Sequence, residues 1–213
     1  YLCAHGKYAI LHVNYRGSSG FGQDALESLA GTAGDLDVKD CVHATERILD
    51  LFPNIDPERV GFCGGSHGGD LAGHCIGQYP ELFKVAAMRN PVTNIATMTT
   101  ATDIVDWCAI ETFGVGSYDW EKYRGPDREE LGAMWDASPI AHIDNVKAPT
   151  LVALGMSDRR VPPSQGLEYY HSLRSKGIAT KLLVYERDDH AIDRVVSEAD
   201  HWINIKRWFD EHL

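Results

Sequence analysis

A serine, an aspartate and a histidine occur in this chain in the order and settings that nucleophilic acyl transfer needs. Ser66 sits in Gly64-Gly65-Ser66-His67-Gly68-Gly69, where a glycine two residues to either side leaves room for a sharp turn. The run Arg59–Cys63 before it reads as a strand, and the apolar-periodic segment Leu71–Tyr79 after it reads as a helix. A serine on such an elbow holds a strained backbone, lifts its hydroxyl clear of the sheet and lies beside the free N–H groups of a helix start. A hydroxyl is a poor nucleophile at neutral pH and needs a base, which in turn needs an orienting carboxylate. After an elbow serine the carboxylate comes next along the chain and the histidine last. Asp158 follows the apolar strand Ala148–Gly155, and His190 follows the strand Thr180–Tyr185. Both fall on loops past the carboxyl ends of strands, where an open parallel sheet collects its reactive groups. The reading is a Ser66–Asp158–His190 triad, with the His67 backbone N–H as one oxyanion donor.

Other groups fit less well. The His67 side chain adjoins the serine, whereas a base must approach from across the site, so His67 is expected to lend only its backbone. Asp188 and Asp189 are so near His190 in the chain that curling back to its Nδ1 is awkward, which favours Asp158. His43, His74, His142, His171 and His201 lie on expected helices or connecting loops and read as surface or packing residues. No pair has the spacing of a zinc motif, and the glycine turn lacks the Lys-Ser/Thr that completes a phosphate loop. No metal and no cofactor is expected.

Strands and helices alternate around these residues. Tyr8–Asn14 reads as a short apolar strand followed by the glycine-rich loop Tyr15–Gly22. From Asp35, expected to cap the start, Val38, Cys41, Val42, Thr45, Ile48, Leu49 and Phe52 repeat at helical spacing. Asp56-Pro57-Glu58 reads as a brief helical turn and Lys84–Met88 as a further strand. Pro163–Lys176 reads as a helix stopped by Gly177, and Arg194–Leu213 as a closing helix with Val195, Ala199, Trp202, Ile203 and Phe209 on its buried side. Residues 92–147 carry Trp107, Trp120 and Trp135 without clean periodicity. They read either as an irregular cap that shapes a pocket or as a plain surface excursion. The alternation predicts an α/β fold with a mostly parallel, doubly wound sheet.

Composition is that of one globular domain: 213 residues, 44% hydrophobic and 24% charged. A formal net charge of −11 argues against nucleic acid and anionic membrane as partners. The five cysteines form no C-x-x-C pair, which reads as reduced thiols in a cytoplasmic protein. No signal peptide and no membrane-spanning run is visible. The chain opens Tyr1-Leu2-Cys3-Ala4 without a methionine, so earlier residues are expected.

Several stretches resemble the prolyl oligopeptidase family of serine peptidases. They are Asn14–Gln23, Asp37-Val38-Lys39-Asp40, Gly64–Gly69, Ile76–Glu81, Arg89-Asn90-Pro91, Asp106-Trp107-Cys108, Ser138-Pro139-Ile140, Asp158–Pro162 and Gln165–Tyr170. The elbow together with Asp106-Trp107-Cys108 resembles the acylaminoacyl branch most. The resemblance covers nearly the whole chain and implies an α/β-hydrolase fold, with residues 1–213 as a carboxyl-terminal catalytic domain. Such a sheet has about eight strands with the elbow after the fifth, so the first strands are expected to be absent here. So are the β-propeller that precedes the domain in this branch and the His-Gly-Gly-Pro loop that supplies a second oxyanion donor. The implied activity is a serine exopeptidase that releases an N-acyl, typically N-acetyl, amino acid from short peptides, in a parent open to homo-oligomer formation. A carboxylesterase, a dipeptidyl-peptidase-like hydrolase and an inert interaction module remain as alternatives. Tyr15, Arg16 and Arg89 are candidate substrate-binding residues, with structural ion pairing as the other role for the two arginines. Asp70 departs from the resemblance, which has an apolar or aromatic residue there.

Overall fold

Short apolar runs placed between helices give a sheet whose strands all point the same way. A computed structural model describes all of residues 1–213. It shows β1 (Gly61–Gly65), β2 (Val85–Arg89), β3 (Thr150–Gly155) and β4 (Thr180–Tyr185) in the order β1-β2-β3-β4, every pair parallel. The register sets Gly65 opposite Arg89, Arg89 opposite Ala153, and Gly155 opposite Tyr185. The carboxyl ends of the strands therefore line up along one rim.

Nine α-helices complete the fold: α1 (Leu2–Gly6), α2 (Gln23–Glu27), α3 (Leu36–Leu51), α4 (His67–Gln78), α5 (Ile95–Met98), α6 (Val105–Phe113), α7 (Arg128–Asp136), α8 (Ser164–Ser175) and α9 (Val195–His212). Strand alternation sorts the core onto two faces. Ala86 and Met88 of β2 pack with Val38 and Cys41 of α3, Leu71 and Ile76 of α4, and Tyr169 and Leu173 of α8. Val85 and Ala87 point the other way, toward Ile205, Trp208 and Phe209 of α9. Helices thus cover both faces, as a doubly wound sheet requires. No helix is long and apolar enough to cross a membrane.

Five expectations are corrected. The buried side of α9 is His201, Asn204, Ile205, Trp208 and Phe209, with 201, 204, 205 and 208 at helical spacing; of the expected stripe only Phe209 is buried, and Val195, Ala199, Trp202 and Ile203 face outward. Tyr8–Asn14 forms no strand, because nothing lies close enough to pair with it. A cavity of about 730 Å³, lined by Ile10, Leu11, Val13, Phe52, Phe62 and Phe83, separates it from the free edge of β1. Residues 92–147 are substantially helical, holding α5, α6, α7 and two 3₁₀ turns. Their apolar side chains gather in a small core of their own, with Met98, Cys108 and Met134 at its centre. Asp35 makes no capping bond and pairs with Lys39; Asp37 instead accepts from the N–H groups of Gly34 and Val38. Residues 56–58 form a plain turn, with Asp56 accepting from the N–H of Glu58.

Candidate active site

The elbow follows directly from its glycines. A Cβ on Gly64 would lie 2.0 Å from the Gly68 carbonyl oxygen, so only glycine lets β1 double back into α4 this tightly. Ser66 takes up the turn with φ 58 and ψ −121, a conformation strained for any residue with a side chain. His67 opens α4, where helix geometry leaves its N–H without an intrahelical partner.

The loops after β3 and β4 bring Asp158 and His190 together. His190 Nδ1 lies 2.7 Å from Asp158 Oδ2. The carboxylate is fully covered, and its other oxygen accepts from the N–H groups of Arg160 and Val161 at 2.9 and 3.0 Å. Held at three points, Asp158 presents a fixed acceptor to the imidazole, whose side chain keeps 28% of its surface open. The nearer acids are engaged elsewhere: Asp188 with the Ser197 hydroxyl and Asp189 with the Ala191 N–H.

Two residues at the end of β2 join the elbow to the histidine loop. The Ser66 N–H donates to the Arg89 carbonyl at 2.9 Å, while the Arg89 guanidinium donates to the Ala191 carbonyl at 2.7 Å. Asn90 donates to the carbonyls of Asp189 and His190 and accepts from the Gly155 N–H. Asn90 carries no expected role from the sequence beyond its place in the Arg89-Asn90-Pro91 stretch, just past the end of a strand.

The candidate binding residues divide. Tyr15 stacks on the His67 ring at 5.4 Å between centroids, and Trp107 meets that ring edge-on at 5.9 Å. Burial pushes the Tyr15 phenol up to about 12, so it stays neutral. Arg16 instead grips Asp40 with two 2.8 Å bonds, and Arg89 lies over Gly65 with its guanidinium on the histidine loop. Both arginines make the structural contacts given above as their other role.

The side chain of His67 has a role the sequence reading did not give it. Its Nε2 lies 2.8 Å from Oδ2 of the buried Asp37. Burial works against charge on this imidazole, but the bond to Asp37 and the nearby Asp70 and Glu111 outweigh it and raise its pKa. Burial, opposed by His67, holds the Asp70 carboxyl well above the ordinary range.

The sequence profile of the prolyl oligopeptidase family matches residues 1–213. The acylamino-acid-releasing enzyme of Mus musculus is 47% identical over 212 residues, covering 100% of this chain and 28% of its own. The Arabidopsis thaliana protein of the same name is 45% identical over 212 residues, covering 100% of this chain and 27% of its own. The chain therefore spans less than a third of the length of these curated relatives. A Pyrococcus horikoshii acylaminoacyl peptidase in an orthorhombic crystal form is similar in fold, with a TM-score of 0.82 at 24% identity over 94% of this chain and 31% of that one. The chain belongs to the prolyl oligopeptidase family and has the α/β-hydrolase fold.

Proposed function

We propose that the protein containing this chain is a serine exopeptidase that removes one N-acylated amino acid from the start of a short peptide. The observation that carries this reading is the His190–Asp158 bond, on a loop tied through Arg89 and Asn90 to the Ser66 elbow. The names of the mouse and Arabidopsis relatives, at 47% and 45% identity, support this choice of acyl transfer. All five cysteines are free, which supports placing the protein in the reducing cytoplasm.

In this reading His190 Nε2 takes the Ser66 hydroxyl proton as Oγ attacks the carbonyl of the acylated residue. Asp158 holds the Nδ1–H tautomer and balances the imidazolium. The His67 N–H receives the oxyanion, a donor whose loss costs about 3 kcal/mol of barrier. His190 then protonates the departing amine, the C–N bond breaks, and an acyl-enzyme remains. Water attacks that ester as His190 takes its proton, and Ser66 regains its hydrogen on release. Tyr15 and Trp107 pack on the His67 ring and so brace the residue that supplies the oxyanion donor.

The test compares hydrolysis of N-acetyl-alanyl-nitroanilide, a free-amine dipeptidyl nitroanilide and a simple nitrophenyl ester by the full-length protein. Preference for the acetylated substrate is expected, with loss on the order of 10⁶ in Ser66→Ala. Faster release from the free-amine substrate would instead make the protein a dipeptidyl peptidase, and cleavage of the ester alone would make it an esterase.

A further inference from the structure

Behind the elbow, α4 carries His67 and Asp70 one turn apart, and Asp37 reaches them from α3. One nitrogen of His67 and one carboxylate oxygen of each aspartate lie within 4.8 Å of one another. Both aspartates are buried, 0% and 2% exposed. Asp37 is fully engaged: Oδ1 accepts from Gly34 and Val38, and Oδ2 meets His67. Asp70 is not. Its Oδ1 is buried without a partner, and its Oδ2 has only His74 Nε2, at 3.8 Å. Glu111 of α6, whose charge acts on His67 and Asp70, leaves a second buried oxygen, Oε2, without a partner. The principal charged groups acting on Asp70 are His67, Asp37 and Glu111, with no lysine or arginine among them. A buried carboxylate oxygen with no donor is costly, and a fold that keeps one needs a proton or a cation to satisfy it.

We propose that Asp37, His67 and Asp70 form a binding site for one divalent first-row transition cation. An imidazole with carboxylates suits Mn²⁺, Fe²⁺ or Zn²⁺, whereas oxygen-only cages suit Mg²⁺ and Ca²⁺. Ligand atoms about 2.0–2.2 Å from an ion sit roughly 3 Å from one another. The His67–Asp37 pair at 2.8 Å already has that spacing, and Asp70 closes the remaining distance. The ion replaces the proton shared by His67 and Asp37, which is released to solvent. It also bridges α3 to α4 directly behind Ser66. No sequence pattern signals the site, because Asp37 and His67 are 30 residues apart.

Mn²⁺ is the probe, because an exposed thiol such as Cys3 captures softer ions. Full-length protein stripped with chelator is titrated with Mn²⁺ and followed by electron paramagnetic resonance. One bound ion with nitrogen hyperfine coupling is expected, together with proton release. Asp70→Asn removes the partnerless buried carboxyl at nearly constant shape, so the metal-free variant should melt about as high as the parent while its Kd for Mn²⁺ rises about tenfold or more. His67→Gln should abolish the nitrogen coupling, and this second readout stands if Asp70→Asn fails to fold. Absence of binding at about 1 mM Mn²⁺, the weak limit of protein cation sites, would show that a proton alone satisfies Asp70 and overturn the proposal. Binding unaltered by both substitutions, or Mn²⁺ without nitrogen coupling, overturns it equally.

Discussion

The Asn90 side-chain amide donates to the backbone carbonyl of His190 at 3.0 Å and to that of Asp189 at 3.1 Å. Its Oδ1 accepts from the Gly155 N–H at 2.8 Å. One buried side chain thus ties the end of β2 to the end of β3 and to the loop that carries the imidazole. The residue also sits at φ 41, a region that asparagine enters more readily than most residues. Asn90→Asp keeps the shape and one acceptor but turns an oxygen toward two carbonyls. Turnover should fall on the order of 10²-fold through misplacement of His190, with KM nearly unchanged. Steady-state kinetics beside a melting curve checks this. A loss that only tracks the unfolded fraction would make Asn90 a structural residue and nothing more.

Asp158 and Asp189 offer a paired test of which carboxylate orients the base. Asp158→Asn keeps the volume but favours the wrong imidazole tautomer, so turnover should fall on the order of 10⁴. Asp189 accepts only the Ala191 N–H, at 3.2 Å, and Asp189→Asn should leave turnover within a few-fold of the parent. Single-turnover rates on an acetylated nitroanilide measure both. The reverse ranking would transfer the orienting role to Asp189.

Gly155 carries the third prediction. A Cβ there would lie 2.2 Å from the Asp189 carbonyl and 2.8 Å from that of Asp188. Both are backbone atoms, so the loop before His190 must move. Gly155→Ala should lower turnover and melting temperature together, by about 1–3 kcal/mol in stability. Unchanged thermal and kinetic behaviour would mean that this loop yields freely.

How much was legible follows from which contacts are local. Gly64 and Gly68 flank Ser66 in the sequence itself, and α3, α4 and α8 announce themselves through apolar residues at helical spacing. The helix α9 is legible as a helix but not by its face, because its buried side includes the polar His201 and Asn204 while Val195, Trp202 and Ile203 are exposed. In contrast, α6 and α7 each bury only one residue, Cys108 and Met134, too little for a readable stripe. The start of α7 was still readable, since Asp127 and Glu130 form a capping box. Apolar residues at 8–14 look alike whether or not a partner strand lies beside them. The roles of Arg16 and His67 rest on Asp40, 24 residues away, and Asp37, 30 residues away. No local pattern encodes such pairings.

His201 supplies a pH prediction that does not depend on the reaction. It is buried on α9, and its Nε2 has no partner. Burial, aided by Arg89 and opposed by Asp200, pushes its imidazole down to about 4. An unfolded histidine titrates near about 6.5. Between those values the unfolded chain takes up a proton here and the folded chain does not, so stability falls as pH drops through that window. The slope from this residue is at most about 1.4 kcal/mol per pH unit. It vanishes above the unfolded value and levels off below the folded one. Urea unfolding of the parent and of His201→Leu at about pH 7.5, 5.5 and 4.5 isolates the contribution as the difference between the two curves. The curves should separate at the acid end, with the parent losing more. Parallel loss in both proteins would show that His201 is protonated in the folded state at little cost.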